Sequence, residues 1–172
     1  MLDDIHTDVA IIGAGTAGLY ALREVRRAGR RFVLIDPGPL GTTCARVGCM
    51  PSKIALHAAA LWQARPELSR FGVTDNELLP LDLARTWAAL RAQRDHFSNK
   101  ASQKTRTAAG EQLIEGSARF IEPTLLEVTT PQGVQRIRAD AVVIANGSRP
   151  LLPDWLTPLR ARLVTTDALF EL

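Results

Sequence analysis

The chain has 172 residues, 46% apolar and 23% charged, with 21 basic and 18 acidic side chains for a net charge of +3. That length and balance allow one ordinary domain with a sizeable core, and the scattered arginines form no basic block of the kind a nucleic-acid partner requires. No apolar run approaches the ~20 residues of a membrane span, and the acidic start Met1-Leu2-Asp3-Asp4 is not that of a secretory signal, so the expected location is the cytoplasm.

Asp8-Val9-Ala10-Ile11-Ile12 reads as a short buried strand. A glycine turn follows, then a helix from Ala17 to Ala28 with Leu19, Leu22, Val25 and Ala28 at helical spacing. Gly29 is a natural helix stop. Arg31 to Ile35 is a second buried strand, so the first 36 residues read as a βαβ unit. Pro51 suits a helix start, and Ile54, Leu56, Ala59, Ala60 and Leu61 suit a helix buried on more than one face. Residues 64–80 hold Pro66, Gly72 and Pro80 and read as a loop with short turns. Asp82 is placed to cap a long helix ending at Gly110.

Beyond Gln112 the pattern changes to short β runs: Leu113-Ile114, Ala118 to Ile121, Leu125 to Thr129 and Val134 to Ile137. Ala141 to Ala145 reads as a separate apolar strand, and Leu151 to Leu172 as irregular chain. The sequence thus predicts an α/β fold. It has a parallel sheet with crossover helices, plus a small antiparallel meander. The expected division is a domain over 1–150 and a connecting segment over 151–172.

Two motifs carry chemistry. Gly13-x-Gly15-x-x-Gly18 lies between the first strand and the first helix. Gly13 allows the tight turn, Gly15 leaves room for a pyrophosphate, and Gly18 lets helix and strand pack closely. The helix N-terminus offers N–H donors and partial positive charge. Asp36 ends the second strand, where a carboxylate can bind ribose hydroxyls. The motif by itself does not separate FAD from NAD.

The second motif is Cys44-x4-Cys49, the only two cysteines of the chain. One reading is a redox pair, since structural disulfides are rare in the cytoplasm. A helix N-terminus and Lys53 would favour a thiolate at Cys49. Half of a metal site is a second reading, with His57 as third ligand and no fourth apparent. Two inert buried cysteines are a third. His6, His57 and His96 form no acid–base constellation, and Trp62, Trp87 and Trp155 read as core or interface residues.

Gly13 to Gly18, Gly41 to Lys53 and Ala145 to Pro150, in that order, closely resemble the N-terminal FAD-binding region of the class I pyridine nucleotide-disulfide oxidoreductases. That family carries GxGxxG, a GGTCxNxGCxPSK redox segment and an ATG-type strand end. The resemblance covers essentially the whole chain and looks closest to the dihydrolipoamide dehydrogenase branch. It implies a Rossmann-like domain binding FAD. Gly13, Gly15, Ala17 and Gly18 would hold the pyrophosphate and Asp36 the adenosine ribose. Gly116, Ser117 and Ala118 would face the adenine. Thr43, Val47, Gly48 and Lys53 would border the flavin, and Ala145, Asn146, Gly147 and Ser148 would form the ATG-type turn. Cys44 would be the thiol that attacks the substrate disulfide, and Cys49 the thiol that faces the flavin.

Departures from the pattern are Thr42 for the second glycine of GGTC, Arg46 for asparagine and Asn146 for threonine. Family members are much longer, so the chain reads as a truncated N-terminal fragment, expected to hold FAD weakly or not at all. The implied parent enzyme is a homodimer that passes electrons between a dithiol or disulfide such as lipoamide, FAD and NAD(P). A mercuric or other disulfide reductase is the alternative within the family. A stand-alone flavin- or redox-binding module without turnover is the alternative of another class.

Overall fold

The computed structural model describes residues 4–76 and 79–172. The start at Met1 to Asp3 and loop positions 77 and 78 lie outside the described residues. The chain divides into two units, residues 1–43 with 98–148 and residues 44–97 with 149–172.

The first unit is built on one six-stranded sheet. Its strands are β1 (Ile5–Ile12), β2 (Phe32–Asp36), β3 (Leu113–Glu115), β4 (Ser117–Glu122), β5 (Leu125–Thr130) and β6 (Gly133–Ile144), in the order β3-β2-β1-β6-β5-β4. β1 pairs in parallel with β2 and β6, and β2 with β3. β4, β5 and β6 pair antiparallel. The expected antiparallel meander is present as β4, β5 and β6. It continues the parallel sheet through β6, whose first half pairs with β5 and second half with β1.

Val134–Ile137 and Ala141–Ala145 consequently belong to one strand rather than two, ending at Ile144. The charged residues between them do not break it, because successive side chains alternate faces. Ile137 and Ala139 are buried while Arg138 and Asp140 are exposed.

Neighbouring residues Ala10 and Ile11 are both fully buried. They point to opposite faces, so β1 is covered on both, as parallel strands require. On one face Ala10, Val33 and Ile35 join Leu126, Val128, Ile137 and Ala139 of β5 and β6. On the other, Ile11 and Leu34 pack with Leu22 of α1 (Thr16–Arg27) and with Leu40 and Ala109. Of the predicted helix face, Leu22 is buried and Leu19 and Val25 pack against its cluster, whereas Ala28 is exposed just past the end of α1, and Gly29 ends the turn beyond at φ +64°.

The second unit contains α3 (Cys49–Ala64), which follows the single turn α2 (Thr43–Arg46), and residues 83–97 of α4 (Leu83–Ala109). Asp82 caps α4 as expected, its Oδ1 accepting the Arg85 N–H at 3.0 Å. Gly110, at φ +57°, follows its last residue. Residues 65–71, expected as loop, form a 3₁₀ helix ended by Gly72 at φ +83°. Pro66 is tolerated there because the first turn of a helix leaves its N–H groups unpaired.

α3 is the larger correction. Instead of being buried on more than one face, it leaves Leu56 69% and Leu61 63% exposed. Ile54, Ala55, Ala58 and Trp62 line a groove of about 520 Å³ with Leu83, Trp87 and Leu90 of α4. Apolar composition records a gain on burial but not the neighbour that provides it.

The segment beyond Leu151, expected as irregular, forms 3₁₀ turns over Asp154–Arg162 and Leu169–Glu171. Within the second unit Arg94, its side chain 9% exposed, pairs with Asp95 and Glu171. Phe170 is buried beside that pair in sequence, whereas Trp155 is 74% exposed and is not a core residue. Among the described residues no helix is long and apolar enough to cross a membrane.

Candidate functional site

The glycine loop of the first unit is held from both sides. The Gly13 N–H donates to the Ile35 carbonyl at 2.7 Å, and the Ala145 N–H donates to the Ile12 carbonyl at 2.7 Å. Gly13 has φ +103°, and a Cβ there would lie 2.2 Å from the Ala145 carbonyl oxygen. A Cβ at Gly18 would lie 1.8 Å from the Gly13 carbonyl oxygen. Gly18 permits the close helix approach that the sequence predicts, and Gly13 also lets the end of β6 pass against the loop, which the sequence does not predict.

Gly15 differs. A Cβ there would meet nothing within 4 Å, so its missing side chain leaves open space. Gly15 is also the N-cap of α1, with no side-chain cap and no acidic residue in the first turn. The first N–H groups of this 12-residue helix, at the positive end of its dipole, thus have no capping side chain and no acidic residue in their own turn. The arrangement fits the pyrophosphate of a dinucleotide.

Asp36 sits beside the loop. Its Oδ2 accepts the Ala14 N–H at 2.6 Å and its Oδ1 the Gly38 N–H at 2.7 Å. Its backbone carbonyl accepts the Gly116 N–H at 3.1 Å. A Cβ at Gly116 would lie 2.6 Å from the Thr129 carbonyl oxygen, so only glycine lets β5 pass there. Ser117 and Ala118 then open β4.

The first unit therefore gathers Gly13, Gly15, Gly18, Asp36, Gly116 and Ala145. Ala17 is exposed in the first turn of α1. Asn146, Gly147 and Ser148 follow β6, with Gly147 at φ +75°. Sequence reasoning missed Ala14 and Gly38 as donors to Asp36. The signal lay in Asp36-Pro37-Gly38, since an Asp side chain commonly bonds the backbone two residues on.

The thiols lie in the second unit. Gly48 is the N-cap of the 16-residue α3, without a side-chain cap, and Cys49 is its first residue, as predicted. Cys44 is half-buried in α2, Cys49 is exposed, and both are free thiols. Val47 and Gly48 are half-buried between them, and Lys53 is exposed one turn into α3. Thr43, the first residue of α2, is exposed and belongs to the first unit. Among the described residues, no three His, Cys, Asp or Glu side chains gather as a metal site.

Thr42 adopts φ +62°. A β-branched residue in the left-handed region is strained by about 1–3 kcal/mol, and the family motif has glycine there.

The Cys44 thiol is pushed above the ordinary thiol range. The Cys49 side chain is the largest cause, through hydrogen bonding, followed by burial and the charge of Cys49, with the Cys49 backbone and then Lys53 opposing. Cys44 thus holds its proton more tightly than an ordinary thiol. Serine at 49 carries no thiolate charge, so Cys49→Ser is expected to let Cys44 deprotonate at lower pH. Iodoacetamide alkylation of Cys44, followed by peptide mass against pH in parent and variant, reads the midpoint. An unmoved or higher midpoint in the variant contradicts this electrostatic account.

Residues 7–162 match the family model described as pyridine nucleotide-disulphide oxidoreductase. The chain belongs to that family. The family comprises FAD-binding flavoprotein oxidoreductases, in line with the cradle geometry. The chain is 30% identical over 146 residues to dihydrolipoyl dehydrogenase of Bacillus subtilis, covering 83% of this chain and 31% of that one. It is 35% identical over 156 residues to mercuric reductase of Streptomyces lividans, covering 86% and 32%. Glutathione reductase of Schizosaccharomyces pombe is 28% identical over 171 residues, covering 96% and 36%. The chain thus spans about a third of the length of these relatives. Among solved structures, the HOCl-induced flavoprotein disulfide reductase RclA of Escherichia coli, as its Cu(II) complex, superposes with a TM-score of 0.67 at 24% identity. That match covers 89% of this chain and 31% of that one. It supports the fold described above.

Proposed function

We propose that this chain supplies the FAD-binding and redox-thiol portion of a disulfide oxidoreductase acting on a dithiol or disulfide such as lipoamide, as dihydrolipoyl dehydrogenase does. The observation that carries the reading is the thiol pair. Cys49 opens an uncapped 16-residue helix, and Cys44, half-buried five residues earlier, has its thiol pushed up by that neighbour.

Gly13, Gly15, Ala17 and Gly18 hold the FAD pyrophosphate and Asp36 borders its ribose. Gly116, Ser117 and Ala118 take the adenine. Ala145, Asn146, Gly147 and Ser148 close the cradle, and Thr43, Val47, Gly48 and Lys53 border the flavin. When bound, FAD supplies two-electron acceptance. In the thiol half-reaction, a substrate thiolate attacks the sulfur of Cys44 in the Cys44–Cys49 disulfide and Cys49 leaves as thiolate. The second substrate thiolate then displaces Cys44, so the substrate becomes a disulfide and both cysteines are reduced. The α3 N-terminus favours the leaving thiolate. Run backwards, the same steps reduce a disulfide.

In the whole protein, NAD(P) and a homodimer complete the system, in the cytoplasm and without nucleic acid or membrane. A mercuric reductase is the second reading, supported by the 35% identity with that enzyme. Whole protein assayed with dihydrolipoamide and NAD, and separately with mercuric ion and NADPH, separates the two.

The 172-residue chain itself is expected to form the Cys44–Cys49 disulfide under mild oxidation. Thiol titration should fall from two groups to none, and digestion should yield one cross-linked peptide. Two thiols still free after equilibration with oxidised glutathione would remove the redox-pair reading.

A further inference from the structure

We infer that the Asp36 carboxylate is a clamp that sets the phosphate cradle, a positioning role separate from any contact with a ribose. The inference rests on reading the glycine loop as a nucleotide site and assigns Asp36 a task within it.

The hydrogen bonds make the case. Beyond Ile12 the chain leaves β1, yet its tie to β2 continues. Gly13 N–H bonds the Ile35 backbone carbonyl at 2.7 Å. The next N–H, that of Ala14, bonds not a backbone carbonyl but the Asp36 side chain at 2.6 Å. The carboxylate thus extends the strand pairing by one residue into the loop. Ala14 is 2% exposed, so water does not replace that acceptor. The other oxygen holds the Gly38 N–H at 2.7 Å, and the Asp36 carbonyl holds Gly116 at 3.1 Å.

One residue therefore fastens three segments: the glycine loop, the turn after β2 and the start of the β4 segment. Both oxygens are engaged by backbone, whereas a carboxylate has about four acceptor positions in all. A ribose contact is therefore additional to the clamp.

Asp36→Asn separates the roles, because the amide keeps the shape but presents only one acceptor oxygen. The probe is inorganic pyrophosphate, which has no ribose, titrated into the 172-residue chain and followed by NMR, with ADP in parallel. A bystander carboxylate, when neutralised, would tighten a polyanion, since a repulsive negative charge is lost. A broken clamp weakens it. Asp36→Asn is expected to weaken pyrophosphate at least tenfold. It should also speed amide hydrogen exchange at Ala14 or Gly38 at least tenfold, with exchange at Ala10 in β1 unchanged. Unchanged or tighter pyrophosphate binding, with only ADP weakened, would make Asp36 a ribose ligand and overturn the clamp.

Two outcomes keep this inference distinct from the nucleotide reading. If the parent chain binds neither pyrophosphate nor ADP, the nucleotide reading falls, while the exchange rates still test the clamp. If the variant does not fold, exchange in the parent decides. Ala14 and Gly38 amides protected like β1 amides support the clamp, and exchange at the rate of exposed loop amides refutes it.

Discussion

Gly18→Ala is expected to lower stability by about 3 kcal/mol and to abolish ADP binding, whereas Gly15→Ala should abolish ADP binding alone. The added methyl at position 18 would stand 1.8 Å from the Gly13 carbonyl oxygen and 2.9 Å from its carbon. Those are backbone atoms of the loop itself, so relief requires α1 to move away from the sheet, a costly overpacking. For a domain of this size that corresponds to a fall of roughly 6–12 °C in melting temperature. At position 15 the methyl meets nothing within 4 Å, and φ −74°, ψ −172° suit any residue. Its melting temperature should match that of the parent chain, because the methyl enters open space. Thermal melts and ADP titrations of both variants measure the contrast. Equal melting temperatures for the two would show that the glycine loop is not packed as described.

Leu126→Ala is expected to cost about 3 kcal/mol. Leu126 is fully buried on β5, in the cluster that joins the antiparallel strands to Ala10, Val33 and Ile35. Truncating it leaves a void where β5 meets β6 opposite Ile137. Its other strand partner, Phe120, is 45% exposed, so Phe120→Ala should cost far less. Urea unfolding of the two variants gives the comparison. A Leu126→Ala loss below 1 kcal/mol would mean that the antiparallel strands do not share the core of the parallel ones.

The two variants at the glycine loop also mark where sequence reasoning and structure meet. All three glycine roles were legible from spacing, because each follows from a local requirement: a tight turn, a close helix–strand approach, or an open cradle. The structure adds which glycine meets which atom. For Asp36 the sequence offered a carboxylate at the end of a strand, and its position agrees with that. Its bond to Gly38 had a local signal in Asp36-Pro37-Gly38, but its bond to Ala14 was not legible, since that contact joins residues 22 positions apart.

The sequence by itself determined β1, α1 and β2, the helix beginning at Cys49, the Asp82 cap and the Gly110 stop. These depend on short-range chemistry: apolar runs, glycine conformations and side-chain caps. The tertiary structure alone decided that β6 runs unbroken through Arg138 and Asp140, because only pairing with β5 on one side and β1 on the other shows both halves to be one strand. It alone decided that α3 leaves Leu56 and Leu61 in solvent, since burial depends on a neighbour from elsewhere in the chain. It also placed Thr42 at φ +62°, a conformation that the preference of a β-branched side chain does not predict.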